Sequence, residues 1–313
     1  MRFWALAAGL ALACCARAPA ADQPRARPAI VSLNPCSDAV LAEIADSAQL
    51  LAISRYSQDP AASSMDVAQA RRLRAVSGTL EEVLALRPDV VVADPFFPAG
   101  SAAALAAQGI ALVRLPIAAS VTESRSQVAQ LAALAGHAGR GAALIARIDA
   151  ALARAAPPPG AEPVSAVVWQ SGGIVPGPET LIGELLSRTG FRSLSAARGM
   201  RQADVLPLEA MLADPPQVIL AAGNPRAQED RLLAHPALAA LKDTRRERLD
   251  PALLWCGGPT IVRAAERLAD IRAHLGGGAS TSSARADAGS GTARKVPLRL
   301  SLSKPSRGAG PPQ

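Results

Sequence analysis

The chain has 313 residues, a formal net charge of +7 and a pI near 10. Such a balance would point to nucleic acid or an acidic membrane surface, but the charge sits at the ends. Residues 1–20 hold Arg2 and Arg17, and residues 276–313 hold Arg285, Arg294, Lys295, Arg299, Lys304 and Arg307 against Asp287, which leaves 21–275 neutral with 25 basic and 25 acidic residues. Half of the residues are apolar, which excludes global disorder, and aromatics are only 3%, too few for a surface that stacks single-stranded nucleic acid. A body of about 255 residues predicts two domains. Past the N-terminus no apolar run approaches the roughly 20 residues of a membrane span.

In chain order, residues 1–20 read as a secretory signal: Arg2, an apolar stretch from Phe3 to Ala13, and small residues at Ala18-Pro19-Ala20. Cys14 and Cys15 raise a lipoprotein alternative, but both lipobox-like stretches before them are imperfect. Ile30–Leu33, Leu50–Ser54, Val90–Ala93 and Ala111–Leu115 read as strands, apolar enough to be covered on both faces of a parallel sheet. Helices are expected between them. One covers Ser37–Ala45 and starts with a Ser/Asp cap signal at Ser37 and Asp38, one opens at the capping box Thr79-Leu80-Glu81-Glu82 and ends before Pro88, one covers Ala99–Gln108, and one covers Val121–Ala135. The alternation predicts an α/β lobe over 28–137.

Ala138–Ala155 is alanine-rich with Leu144, Ile148 and Leu152 on one stripe, which predicts a long helix of about 27 Å. Pro157-Pro158-Pro159-Gly160 stops it, so 138–156 is a linking helix between domains. In the second half, 163–275, strands are expected at Val164–Trp169, Val218–Ala221 and Glu247–Leu249. Helices are expected at Glu179–Arg188, Pro207–Leu212, Ala237–Lys242 and Pro259–Leu275, the last closed by Gly276-Gly277-Gly278. Residues 276–313, rich in Gly, Ser, Ala and Arg, read as a disordered tail. The halves echo each other. Leu80, Glu81, Leu84, Ala85, Pro88 and Val90 recur 128 residues later as Leu208, Glu209, Leu212, Ala213, Pro216 and Val218, which predicts two lobes of similar build.

Without the signal, two cysteines remain, Cys36 and Cys256. In an oxidising compartment they suggest one disulfide; two buried thiols are the alternative. His137, His235 and His274 fall away from predicted strand ends, so no metal site is expected. No Gly-x-Ser-x-Gly, His-Glu-x-x-His or phosphate-loop pattern occurs, and the Ser171-Gly172-Gly173 loop has no histidine to serve it as base. An enzyme, a hydrolase being the alternative of another class, is therefore not expected.

The stretches Ile30-Val31-Ser32-Leu33-Asn34-Pro35-Cys36-Ser37-Asp38 and Thr79-Leu80-Glu81-Glu82-Val83-Leu84-Ala85-Leu86-Arg87-Pro88-Asp89-Val90-Val91, the long linking helix, the second Leu-Glu…Pro…Val-Ile segment and Gly258-Pro259 before the last helix carry a resemblance. Over about residues 28–275 the chain resembles the substrate-binding proteins of ABC importers for vitamin B12, haem and iron-siderophores. The resemblance implies the class III fold, two parallel-sheet lobes joined by one rigid helix with a ligand cleft between them. It implies a monomeric periplasmic carrier of a small metal chelate, with no cofactor and no nucleic-acid partner, that hands its ligand to a permease. In the family one glutamate on each lobe meets permease arginines, and Glu81 and Glu209 fall on those positions.

In parallel α/β lobes ligands bind beyond the carboxyl ends of the strands. The ligand contacts expected there are Arg55, Tyr56, Phe96 and Phe97 from the first lobe and Trp169, Gln170, Asn224 and Trp255 from the second. Five of the body's six aromatics are in this set, which suits a large, flat, partly apolar ligand. Arg55 is expected to meet a ligand anion or to pair with Asp59. A corrinoid is the first choice, with haem or a ferric siderophore as alternatives. A Cys36–Cys256 bond would tie the lobes across the cleft.

Overall fold

The computed structural model describes residues 26–223 and 235–286 of the chain. The expected signal peptide, Asn224 and the tail beyond Ala286 lie outside the described residues. In the first lobe β1 (Ile30–Ser32), β2 (Leu50–Ser54), β3 (Ala75–Val76), β4 (Val90–Ala93) and β5 (Ala111–Arg114) form a parallel sheet in the order β3-β2-β1-β4-β5. Successive residues alternate between two apolar layers: Ile30 and Val92 face one cluster, Val31 and Val91 the other. Covering both faces explains why these strands read as unbroken apolar runs.

Helices α1 (Pro35–Ile44), α2 (Val67–Ala70), α3 (Leu80–Ala85), α4 (Ala99–Ala107) and α5 (Val121–Leu134) connect these strands and lead to α6 (Ala138–Ala155), the linking helix. Helix α1 starts two residues earlier than the sequence suggests. Asn34 is its cap, accepting from the Cys36 N–H at 2.8 Å, and Pro35 takes the first helical position. Leu144, Ile148 and Leu152 of α6 are buried as their spacing predicts. Gly141 lets α5 and α6 touch, because a Cβ there would lie 2.3 Å from Ala132 Cβ.

The second lobe holds β6 (Val164–Gln170), β7 (Ile174–Pro176), α7 (Leu181–Arg188), β8 (Phe191–Ser193), α8 (Leu194–Ala197), β9 (Ala203–Val205), α9 (Leu208–Ala213), β10 (Val218–Ala222), α10 (Pro236–Ala239), β11 (Arg245–Arg248) and α11 (Pro259–Ala286). Its parallel sheet runs β11-β10-β6-β8, and β7 and β9 pair antiparallel beside it. The order β8-β6-β10-β11 repeats β2-β1-β4-β5 of the first lobe. Helices α3 and α9 both start and end 128 residues apart, as do the starts of β4 and β10. The repeat seen in the sequence is thus a repeat of the fold.

Other boundaries also differ from the sequence reading. The strand expected at Glu247–Leu249 lies two residues earlier, where its residues pair with Val218–Ala221. Helix α10 ends three residues short of Lys242. Helix α11 does not stop at Gly276 but continues through the three glycines to Ala286. Glycine weakens a helix by about 1 kcal/mol relative to alanine but does not by itself end it. The elements the sequence did not announce, such as β3, β7, β8 and β9, have only two or three residues each, too short for a periodic signal.

One apolar cluster passes from the first lobe through α6 into the second, taking in Ile30, Val40, Leu131, Ile148, Val168, Leu185, Ile261 and Leu268. The lobes therefore share a core. His137, at the start of α6, is buried with Nε2 2.8 Å from Gln49 Oε1 and 3.2 Å from Asp46 Oδ2.

Candidate functional site

In both sheets the strand order reverses between two central strands, β1 and β4 in the first lobe and β6 and β10 in the second. Chain leaving their carboxyl ends must diverge there, which opens a crevice. The large apolar side chains that remain exposed among the described residues are Tyr56, Phe96, Ile117, Ile174, Val205 and Trp255. Each belongs to a segment at a carboxyl edge. Tyr56 follows β2, Phe96 follows β4 and Ile117 follows β5. Ile174 follows β6 and is paired with Val205, and Trp255 lies beyond β11.

Tyr56 is held by a short 3₁₀ turn, Arg55–Gln58, capped by Ser54, whose Oγ accepts from the Tyr56 N–H at 3.3 Å. Beneath it Asp38 of α1 is fully buried. Its Oδ2 accepts from the Ser54 N–H at 2.9 Å and the Ser57 hydroxyl at 2.7 Å, while Oδ1 has no partner. Burial pushes the Asp38 carboxyl up to about 7, against the lowering effect of Ser32, Ser57 and the Ser54 amide. The Arg55 guanidinium stands 5.1 Å from the centre of the Tyr56 ring and bonds its hydroxyl at 3.5 Å. It does not pair with Asp59, whose carboxylate instead accepts from the Ala61 N–H at 2.9 Å. Tyr56 and Arg55 thus form one exposed unit carrying both a ring and a cation.

The Cys36–Cys256 disulfide, with Cα atoms 4.9 Å apart, bonds the segment that carries Trp255 to the start of α1. Of the two alternatives for these cysteines, the bonded one holds. Around it the seam is dense. Ser64 Oγ donates to Cys256 Sγ at 2.8 Å, Thr260 Oγ1 to Ser64 O at 3.1 Å, and Gly258 N to Ser124 Oγ at 2.7 Å. Arg263 also donates to Ser64 O. A recess beside the bond is lined by Asn34, Cys36, Pro116, Ile117, Gln127 and Gly257, which places Ile117 in it.

The expected contact residues divide. Arg55, Tyr56, Phe96 and Trp255 are exposed at the edges; Phe96 is the most open, at 86%. Phe97 is partly buried against the Val31–Val91 layer. Trp169 is not at the surface. Strand β6 runs one residue past it, and its ring lies on the same side as Val167 and Ile219 in a fully buried cluster with Leu206 and Met211. Period-two alternation sends it inward. Gln170 is buried also, at 9% exposure. The sequence reading missed Ile117, Ile174 and Val205, which gave no aromatic signal. It also missed Asp38, which it took as part of a helix cap.

Glu81 and Glu209 lie in the first turns of α3 and α9, are exposed, and have no partner among the described residues. The neighbouring Glu82 is occupied: it accepts from the Ser77 hydroxyl and amide at 2.6 and 2.7 Å, which holds its carboxyl below the usual range. Helix α3 follows the carboxyl end of β3. The chain leading into α9 is tied to the start of β7 through the Leu206 N–H bond to Gly173 O at 2.9 Å. Among the described residues no three His, Cys, Asp or Glu gather as a metal site, and no helix is long and apolar enough to cross a membrane.

No curated protein sequence matches the chain. Solved structures resemble it over most of their length. They include a periplasmic haem-binding protein of Pseudomonas aeruginosa (23% identity, TM-score 0.61, 77% of this chain and 91% of that one). Others are a periplasmic haem-binding protein of Vibrio cholerae (18%, 0.64, 77% and 97%) and a periplasmic vitamin B12-binding protein of the same organism (19%, 0.58, 79% and 96%). The periplasmic binding protein family matches residues 30–252. With that match across both lobes, and two parallel-sheet lobes joined by a helix, the chain belongs to the periplasmic binding protein family.

Proposed function

We propose that this is an exported, monomeric solute-binding protein that captures a large, flat metal chelate between its lobes and delivers it to an ABC permease. The observation that carries the reading is the gathering of the exposed large apolar side chains at the carboxyl edges of the two sheets. Burying such surface against a macrocycle releases about 25 cal/mol per Å², and ring faces add stacking. The contacts are Tyr56, Phe96 and Trp255, with Phe97 and Ile117 at their flanks and Asn224 as a further candidate. A corrinoid fits the largely uncharged wall. The exposed Arg55 cation favours a second reading, haem or another chelate with free carboxylates. Similar structures that bind haem and vitamin B12 support both.

Glu81 and Glu209 are proposed to dock the permease. Free carboxylates on matching helix starts would orient the carrier against paired arginines. Titration calorimetry with cyanocobalamin, haemin and ferric citrate tests the ligand class. Binding of one of them, weakened by Trp255→Ala and Tyr56→Ala, is expected; silence with all three overturns the reading.

A further inference from the structure

The first turn of α1 reaches both walls of the cleft. Cys36 holds the loop that carries Trp255, and two residues on Asp38 holds the turn that carries Tyr56. Asp38 is the only link among these that is a buried, ionisable group. It is completely enclosed and lies between α1 and the end of β2, with one oxygen accepting from both Ser54 and Ser57. A neutral apolar residue would fill this space without the expense of burying a carboxyl. What an apolar residue could not do is accept from Ser54 and Ser57 together, the first and last fixed points around Arg55 and Tyr56. The far end of the turn is held by Gln58, whose Nε2 donates to Ala70 O at 3.1 Å and Leu73 O at 2.9 Å, but at the near end the Tyr56 ring is half exposed and the Arg55 side chain bonds only the Tyr56 hydroxyl among the described residues, so Asp38 is the side chain that ties this end to α1.

We propose that Asp38 is a positioning residue for ligand capture: through Ser54 and Ser57 it fixes the Arg55–Gln58 turn, and with it the ring and cation that Tyr56 and Arg55 present to the ligand. Its reach to the ligand rests on the function proposed above; its control of the turn does not.

The chain has a single tyrosine, so incorporated 3-fluorotyrosine gives one ¹⁹F resonance, that of Tyr56, and reads the turn without any ligand. Asp38→Ala removes both acceptor contacts and should shift or broaden that line. Asp38→Asn keeps an oxygen where Oδ2 stands and should leave it near its wild-type position. Ser57→Ala, which spares the Ser54 contact, should give an intermediate change and serves if Asp38→Ala does not fold. Ile44→Ala, further along α1 and equally buried, controls for simple destabilisation and should lower the melting temperature without moving the line. Affinity for haemin and for cyanocobalamin should fall about tenfold, the equivalent of roughly 1.4 kcal/mol, in Asp38→Ala and recover in Asp38→Asn. A line unmoved in both Asp38→Ala and Ser57→Ala, or moved equally by Asp38→Asn, overturns the proposal. So does a line that moves while affinity holds. If the wild type binds neither compound, the ligand reading fails, and the ¹⁹F comparison alone decides the control of the turn.

Discussion

Cys36 and Cys256 are separated by 220 residues, yet their Cα atoms lie 4.9 Å apart in a bond that joins the two lobes beside the cleft. The linking helix α6 and the shared core connect the lobes on one side; the disulfide connects them again at the carboxyl edges. A binding protein built this way would meet a ligand with its walls already set, and most of the ordering would be complete before binding.

Breaking that bond should loosen the fold. For a loop of this length the chain-entropy model gives up to about 5 kcal/mol, and measured values usually fall below it. Urea unfolding of Cys36→Ser/Cys256→Ser, or of the wild type in reductant, should show a lower midpoint by an amount worth about 2–4 kcal/mol. A non-reduced digest should contain the cross-linked peptide; two free thiols would refute the bond.

Asp38 gives stability a defined pH dependence. Its carboxyl titrates at about 7 in the folded chain against 3.8 for the ordinary group. Between those values the folded state holds the proton and the unfolded state does not, so stability falls as pH rises from about 4 to 7 and is level above. The lowered carboxyls of Asp46 and Glu82 act in the opposite sense, below their ordinary values of 3.8 and 4.5. In Asp38→Asn the fall should vanish. The difference between wild type and variant across the window is on the order of 4 kcal/mol at most. Parallel urea midpoints for the two proteins from pH 4 to 8 would contradict the assignment.

The seam depends on two adjacent glycines. A Cβ on Gly257 would lie 2.2 Å from Ser124 Oγ, and one on Gly258, whose φ is +62°, 2.5 Å from Val40 Cγ2. Alanine at either position should cost about 1–3 kcal/mol through overpacking, with backbone strain added at Gly258. Thermal unfolding checks this, and Ser124→Gly should recover part of the loss for Gly257→Ala but none for Gly258→Ala. An unchanged melting temperature in both alanine variants would mean that the lobes are not packed this closely.

Docking separates from capture. Glu81→Ala with Glu209→Ala should leave ligand affinity within about twofold, since neither side chain is placed among the ligand contacts, while uptake in cells falls at least tenfold. Each loss should shrink as salt rises, because the pairs are exposed. Normal uptake by the double variant would remove these residues from the docking role.

Much of this protein follows from its sequence. Unbroken apolar runs such as Val90–Ala93 require cover on both faces. The Leu144–Ile148–Leu152 stripe requires a helix with one buried side, and the recurrence at an interval of 128 requires two lobes of one build. These are local patterns, set by the period of the element and by its caps. The tertiary structure decided what those elements do to one another. Trp169 and Trp255 both read as ring residues at strand ends, yet one is sealed in a core and the other is open. The difference depends on where β6 ends and on Leu206 and Met211, which come from later in the chain. Asp38 read as a helix cap, and only the approach of β2 and its turn makes it a buried anchor. Period and capping act within a few residues, whereas burial and proximity are made by chain far away in sequence, so the lobes were legible beforehand and the cleft was not.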